Sequence, residues 1–229
     1  GRTNLNLNGA VVAGAVSDTA AAADLDVNVL GDSTISGAWD TADTNGTGTY
    51  AITDGKTLTV SNTFNTGAAG IIRLGTSTAG ATMTLDGSGK TITGLIDGSA
   101  ANKGTLNVNG AGTTTLASNI GATNGLEAIV IGSSATAAFS GTVASVMTTI
   151  NNTNTNTFAK AVTGSLAFGA DGTVSGADTF AVSGTIDNTS GADGVGTVTM
   201  ANQTTGAVSL AGNIGATNSL KAVNVTTTA

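Results

Sequence analysis

Three aspartates, Asp40, Asp97 and Asp187, stand at the same place in three related phrases: "ISGAWDTADTNGTGTYAI" (35–52), "ITGLIDGSAANKGTLNV" (92–108) and "VSGTIDNTSGADGVGTVTM" (182–200). Each reads apolar, Ser/Thr, Gly, any residue, apolar, Asp, then a polar loop, then Gly-Thr-apolar-x-apolar. Two carboxylates at a suitable separation can cleave a glycosidic bond, one as acid and the other as base or nucleophile. Aspartate also opens polar loops, where its side chain accepts backbone N–H bonds. The copies lie 57 and 90 residues apart, and the chain has no His, no Cys and one Glu. That spacing sets the carboxylates several coils from one another, with no basic cluster to stabilise developing charge. Loop capping is the expectation for Asp40, Asp97 and Asp187, and no catalytic residue is assigned.

Other stretches imitate known sites. "DGSGKT" (86–91) and "DGKT" (54–57) resemble phosphate loops, but Thr84 and Tyr50 stand where the leading glycine is required, and no helix follows. Both read as turns. "DLDVN" (24–28) begins like a calcium loop, yet Val29 occupies the glycine position and Ile35 the final glutamate position. Structural calcium at the Asp-Gly turns Asp171–Gly172 or Asp193–Gly194 is the one cofactor candidate, and otherwise none is expected. Asn45, Asn151, Asn188, Asn202 and Asn224 fall in glycosylation sequons, which a Thr/Asn-rich chain produces by chance. "NNTNTNTF" (151–158) reads as a surface loop or a polar ladder.

The elements that must carry these residues follow from composition and period. The 229 residues include 34 Gly and no Pro, with 9% charged and 3% aromatic residues. Collagen is excluded by the absence of a Gly-X-Y period, and disorder by the richness in Val, Ile, Leu and Thr. Missing proline suits strands paired on both sides, because proline cannot donate to a ladder. A net charge of −7 with seven scattered basic residues argues against nucleic acid or an anionic membrane as partner. No run approaches the length of a membrane helix, and "AVVAGAV" (10–16) reads as a buried strand.

A two-residue period recurs in "TLTV" (57–60), "TLNVNG" (105–110), "TVTM" (197–200) and "AVNV" (222–225), and "DLDVNVL" (24–30) puts Leu25, Val27 and Val29 on one face. "GLEAIVI" (125–131) is read as strand for its β-branched content. The phrase Asn-Ile-Gly-Ala-Thr-Asn occurs twice, at 119–124 and 213–218, with Glu127 in one copy matching Lys221 in the other. It is read as a corner followed by a return strand, with the Glu127/Lys221 position facing outward. Short strands, frequent turns and degenerate repeats predict an all-β fold, a right-handed parallel β-helix or β-solenoid of irregular coils, with a β-sandwich as the alternative. The whole chain, 1–229, forms one such domain, with repeat units near 35–60, 92–131 and 182–225. At roughly 20–25 residues per coil it makes about nine to eleven coils. Beginning at Gly1 and stopping just after a strand, it reads as a segment of a longer protein.

"VSGTIDN", "GNIGATNSLKAVNV" and "FSGTVAS" resemble the passenger regions of rickettsial surface antigens of the outer-membrane protein A and B type. The similarity is diffuse over most of the chain and strongest in the two NIGATN units. It implies a β-helical autotransporter passenger, extracellular on a bacterial cell surface and used for adhesion or surface coating. The alternatives are a self-assembling S-layer or filament subunit, and a carbohydrate-cleaving β-helix. Expected partners are a host or neighbouring cell surface, or copies of the chain itself through the coil ends, without nucleic acid or membrane insertion by this segment.

Overall fold

The computed structural model describes residues 3–17, 25–42, 48–200 and 208–226. Strand is the only regular structure in them, and the strands that pair all pair in parallel. They stack into a β-solenoid of three faces. On the third face ten strands follow one another from Val16–Ser17 to Ala222–Val225, so the chain makes about nine turns. A stack of that depth is roughly 43 Å long at the ordinary inter-strand spacing.

Alternation within each strand decides what is buried. In Leu25–Val29, Val27 and Val29 are fully buried, while Asp26 and Asn28 lie on the opposite side. Each inward residue sits over its counterpart in the next coil. One such column on the first face runs Leu5, Val27, Tyr50, Ile72, Ile96, and continues through Ile120, Val143, Val162, Val182 and Leu210. Successive members are 19 to 28 residues apart, so coil length varies while the stacking does not. All seven aromatic side chains are buried. Trp39, Tyr50 and Phe64 pack together in the first coils, where the Trp39 indole donates to the Tyr50 hydroxyl at 3.0 Å. Phe139 stacks on Phe158 at 4.5 Å further along.

The first five coils use three separate strands each. From the seventh coil the first two faces fuse into single long strands, Val143–Ile150 and Val162–Phe168, with a register shift between Ala144 and Met147. The corner has become a bulge. Gly164 lies in it with a φ of 112°.

"NNTNTNTF" turns two asparagines, Asn152 and Asn156, into the solenoid as a buried polar ladder and leaves its threonines outside. Strand pairing between Ala135–Phe139 and Thr155–Phe158 covers only Ala138 and Phe139. The buried amides of Asn152 and Asn156 complete it: Asn156 Oδ1 accepts the Ala137 N–H at 2.9 Å, Asn152 Nδ2 donates to the Ala135 carbonyl at 2.6 Å, and the two amides bond each other at 3.0 and 3.2 Å. Residues 10–16 depart from the expected buried strand. They form two short strands, Val11–Val12 and Val16–Ser17, on either side of a corner, and Val11 is 73% exposed. Val11 stands in register with outward-facing Thr34, and Val12 over buried Ile35, so the first valine points to solvent and the second inward.

Candidate functional site: corner carboxylates and outward faces

The three aspartates do not line one edge, because each copy of the repeat sits at a different corner. Asp40 lies on the third face, Asp97 on the first and Asp187 on the second. The strand closing each phrase is on the next face in turn: Thr49–Ile52 on the first, Thr105–Val108 on the second, Thr197–Met200 on the third. From one copy to the next the phrase advances by a whole number of coils plus one third of a turn. Three corners receive one copy apiece, and the carboxylates have no common site.

Asp97 and Asp187 do the same work at their separate corners. Asp97 Oδ1 accepts the N–H of Thr123 at 3.1 Å, and the Asp187 carboxylate accepts that of Thr217 at 3.1 and 3.2 Å. Thr123 and Thr217 are the same position of the NIGATN phrase. Asn124 and Asn218, one residue on, donate back to the carbonyls of Gly98 and Asn188 at 3.3 and 3.0 Å. Ile120 bridges to Ile96, and Ile214 to Ile186, so the residue before each aspartate holds the phrase from its other end. Gly121 and Gly215 turn the chain with φ of 68° and 63°, a region that favours glycine. The repeated phrase is therefore the lower half of a two-coil corner whose upper half is Ile-Asp-Gly or Ile-Asp-Asn. Glu127 and Lys221 face outward as expected, and Lys221 pairs with Asp171 at 2.6 Å. The exposed pair contributes little. Replacing Asp97, which is 4% exposed, with alanine leaves the Thr123 N–H without its acceptor. A loss of about 1–2 kcal/mol follows, read as a lowered urea midpoint.

Asp40 does not clamp a loop of this kind. Its Oδ1 accepts the Asn65 side-chain amide of the next coil at 3.0 Å and its own loop's Ala42 N–H at 3.3 Å. Three further acids reach one coil forward in the same manner. Asp26 accepts Thr49 N–H at 3.0 Å and Asp32 accepts Thr57 N–H at 2.8 Å. Asp54 accepts Thr76 N–H at 2.8 Å and the Ser77 hydroxyl. The calcium candidates are engaged in the same way: Asp171 by Lys221 and the Gly196 N–H, and Asp193 by the N–H and hydroxyl of Ser219 at 2.9 and 3.1 Å. Among the described residues no three His, Cys, Asp or Glu side chains converge. Asp24 of the calcium-like stretch, with Asn45 and Asn202 of the sequons, lies outside the described residues.

Bonding of this sort favours the charged carboxylate. The Ser77 hydroxyl lowers the pKa of Asp54 below its ordinary 3.8, Lys221 lowers that of Asp171, and Thr217 lowers that of Asp187. Each group takes up a proton more readily in the unfolded chain than in the folded one. Their contribution is fully present above the ordinary carboxylate value of 3.8 and is lost as pH falls from there through the folded values. The urea midpoint should hold from pH 7 to pH 5 and drop at pH 3; an unchanged midpoint at pH 3 would show that these carboxylates carry no stability.

Neither phosphate-loop look-alike makes a phosphate cradle. In "DGSGKT" Gly87 and Gly89 turn the chain, and the Lys90 ammonium folds back onto the Gly87 carbonyl beneath the turn. Burial lowers the Lys90 pKa, with Asp86 opposing it. Asn188 of the sequons is fully buried, its amide donating to Ala192 and Ser219 carbonyls, so it is closed to glycosylation.

The faces turned outward carry the remaining pattern. On the third face the outward positions form two columns. One runs Thr91, Thr115, Ala138, Thr157, Ser175, Thr199 in register; beside it stand Thr113 over Thr136, and Thr155, Thr173 and Thr197. Five consecutive strands thus show Thr-x-Thr, Thr-x-Ala, Thr-x-Thr, Thr-x-Ser and Thr-x-Thr. The second face starts likewise with Thr57/Thr59, Thr82/Thr84 and Thr105/Asn107, then gives way to Ala128, Val130 and Met147. This grid was not singled out in the sequence, although the Thr-x-Thr doublets are visible there once the coil period is known. No protein-family model, curated protein or solved structure matches the chain.

Proposed function

We propose that the chain is a non-enzymatic contact module of a bacterial cell surface, an autotransporter-passenger-type solenoid acting in adhesion or surface coating. The observation that carries this reading is the outward hydroxyl grid of the third face. A solenoid stiffened by a continuous core column presents it as a long, flat and repetitive area, suited to an extended surface rather than to a small substrate. The carboxylates that a glycan-cleaving reading needs sit at three different corners, and the bonds of Asp97 and Asp187 serve the corner itself. Purified chain should bind intact bacterial or host cells saturably, and, because charge is sparse, binding should survive half-molar salt. Binding abolished by that salt, or none at all, would sink the reading.

Stacking of copies through the coil ends, as in an S-layer or filament, is the second reading. Copies joined in this way would continue the parallel pairing that already stacks Val223 on Val198 and Val225 on Met200. A strand edge with open backbone groups can accept another strand. Electron microscopy at high concentration separates the two: filaments support stacking, and isolated rods exclude it.

A further inference from the structure

We propose that the third face binds ice, which makes ordered water the surface this contact module recognises and rests on the contact reading above. Three observations select the ligand. The first is chemical: the outward positions of the strands from Gly112–Leu116 to Thr197–Met200 carry threonine, serine and one alanine, with no charged side chain among them. Charged side chains hold their own hydration shell, whereas threonine offers one hydroxyl to anchor a water and one methyl to keep its neighbours from collapsing onto the protein.

The second is geometric. Rows of hydroxyls repeat at the inter-strand spacing of about 4.7–4.9 Å along the axis and at about 6.6 Å between i and i+2 across it. These repeats approximate the oxygen spacings on a prism plane of hexagonal ice. The register on this face runs without a shift through Thr115, Ala138, Thr157, Ser175 and Thr199. The second face carries the bulge between Ala144 and Met147 and loses its threonines halfway. A lattice match demands that regularity; on the third face the column from Thr115 to Thr199 keeps it over five rungs, while backbone pairing beside it lapses between Thr136 and Thr155.

The third observation removes the obvious competitor. A polysaccharide is gripped by aromatic rings stacked on its sugar faces, and every Trp, Tyr and Phe of this chain is buried in the core. A hydroxyl-and-methyl grid without exposed rings or charges is suited to frozen water and lacks the rings that would stack on a single sugar chain.

The test uses the full chain, a Thr157→Lys variant at the centre of the third face and a Thr84→Lys variant at the centre of the second. Thr157 is exposed and Thr84 half-exposed, so neither change enters the core. Melting curves by circular dichroism confirm that both variants fold. The parent protein should be incorporated into slowly growing polycrystalline ice and should depress the freezing point below the melting point. Thr157→Lys should reduce that thermal hysteresis by about tenfold or more, while Thr84→Lys leaves it unchanged. Exclusion of the parent from ice, or equal losses in both variants, overturns the proposal. Cell binding measured on the same three proteins keeps the two readings apart: exclusion from ice with cell binding intact refutes ice alone, and loss of both refutes the contact reading as well.

Discussion

Replacing Gly164 with alanine should cost about 4 kcal/mol, adding backbone strain to overpacking, and should collapse the cooperative urea transition of the C-terminal coils. Gly164 occupies the bulge where the first two faces fuse, with a φ of 112°. A Cβ built there would lie 1.6 Å from the carbonyl oxygen of Ser145 in the preceding coil. Ser145 is buried and held on its other side by pairing with Leu126, so its carbonyl cannot retreat without disturbing the preceding coil. Gly55 provides the control. Its φ of 69° is also in the left-handed region, but nothing lies within 4 Å of a Cβ placed on it. Gly55→Ala should therefore show the conformational cost alone, about 1 kcal/mol. Similar losses in the two variants would mean that the close approach of the coils at Gly164 relaxes freely.

The second large effect is expected at Asn156. Its side chain is fully buried, and its amide makes four bonds: to the Ala137 N–H, to both ends of the Asn152 amide, and at 3.5 Å to the Asn154 carbonyl. Leucine fills a similar volume but leaves the buried Ala137 N–H without its acceptor and strips the Asn152 amide of two of its bonds, at a cost of about 3 kcal/mol. Asn152→Leu should cost less, about 2 kcal/mol, because the Ala135 carbonyl loses its 2.6 Å donor but keeps the Asn154 amide at 3.0 Å. The double variant is the more informative measurement, since removing both halves of a mutual pair abolishes a penalty that each single change creates. Its loss should fall short of the sum of the singles by about 1 kcal/mol or more; strict additivity would show that the ladder does not act as a unit.

The strands themselves were legible from sequence. Alternation at Thr57–Val60, Thr82–Leu85, Thr105–Val108 and Thr197–Met200 fixes which side chains point inward, and the solenoid follows from their spacing. The corner role of NIGATN was legible too, since glycine within a polar phrase ahead of an apolar strand marks a turn. Its placement was not. Coil lengths range from 19 to 28 residues, so a separation of 94 residues carries no angle, and the sequence set Asp40, Asp97 and Asp187 several coils apart without showing that they lie on three faces. The burial of Asn152 and Asn156 was equally hidden. Whether an Asn/Thr tract faces water or replaces missing ladder bonds depends on how far the neighbouring strand pairs, which is a property of the preceding coil. The outward grid became visible only when residues about 20 positions apart were laid side by side by the register.

The third-of-a-turn offset between copies has a consequence for how such a chain can lengthen. Gene segments that recombine within the NIGATN phrases would insert or delete 94 residues, four coils and a third. Everything downstream would then keep its fold but be rotated by 120° about the long axis. A single insertion would sever the threonine grid and resume it on another side of the triangle, whereas three in succession would bring it back into phase. Length and facial alignment are thus locked together in this repeat, and homologous variants of different length should differ in multiples of three units wherever a continuous face is under selection.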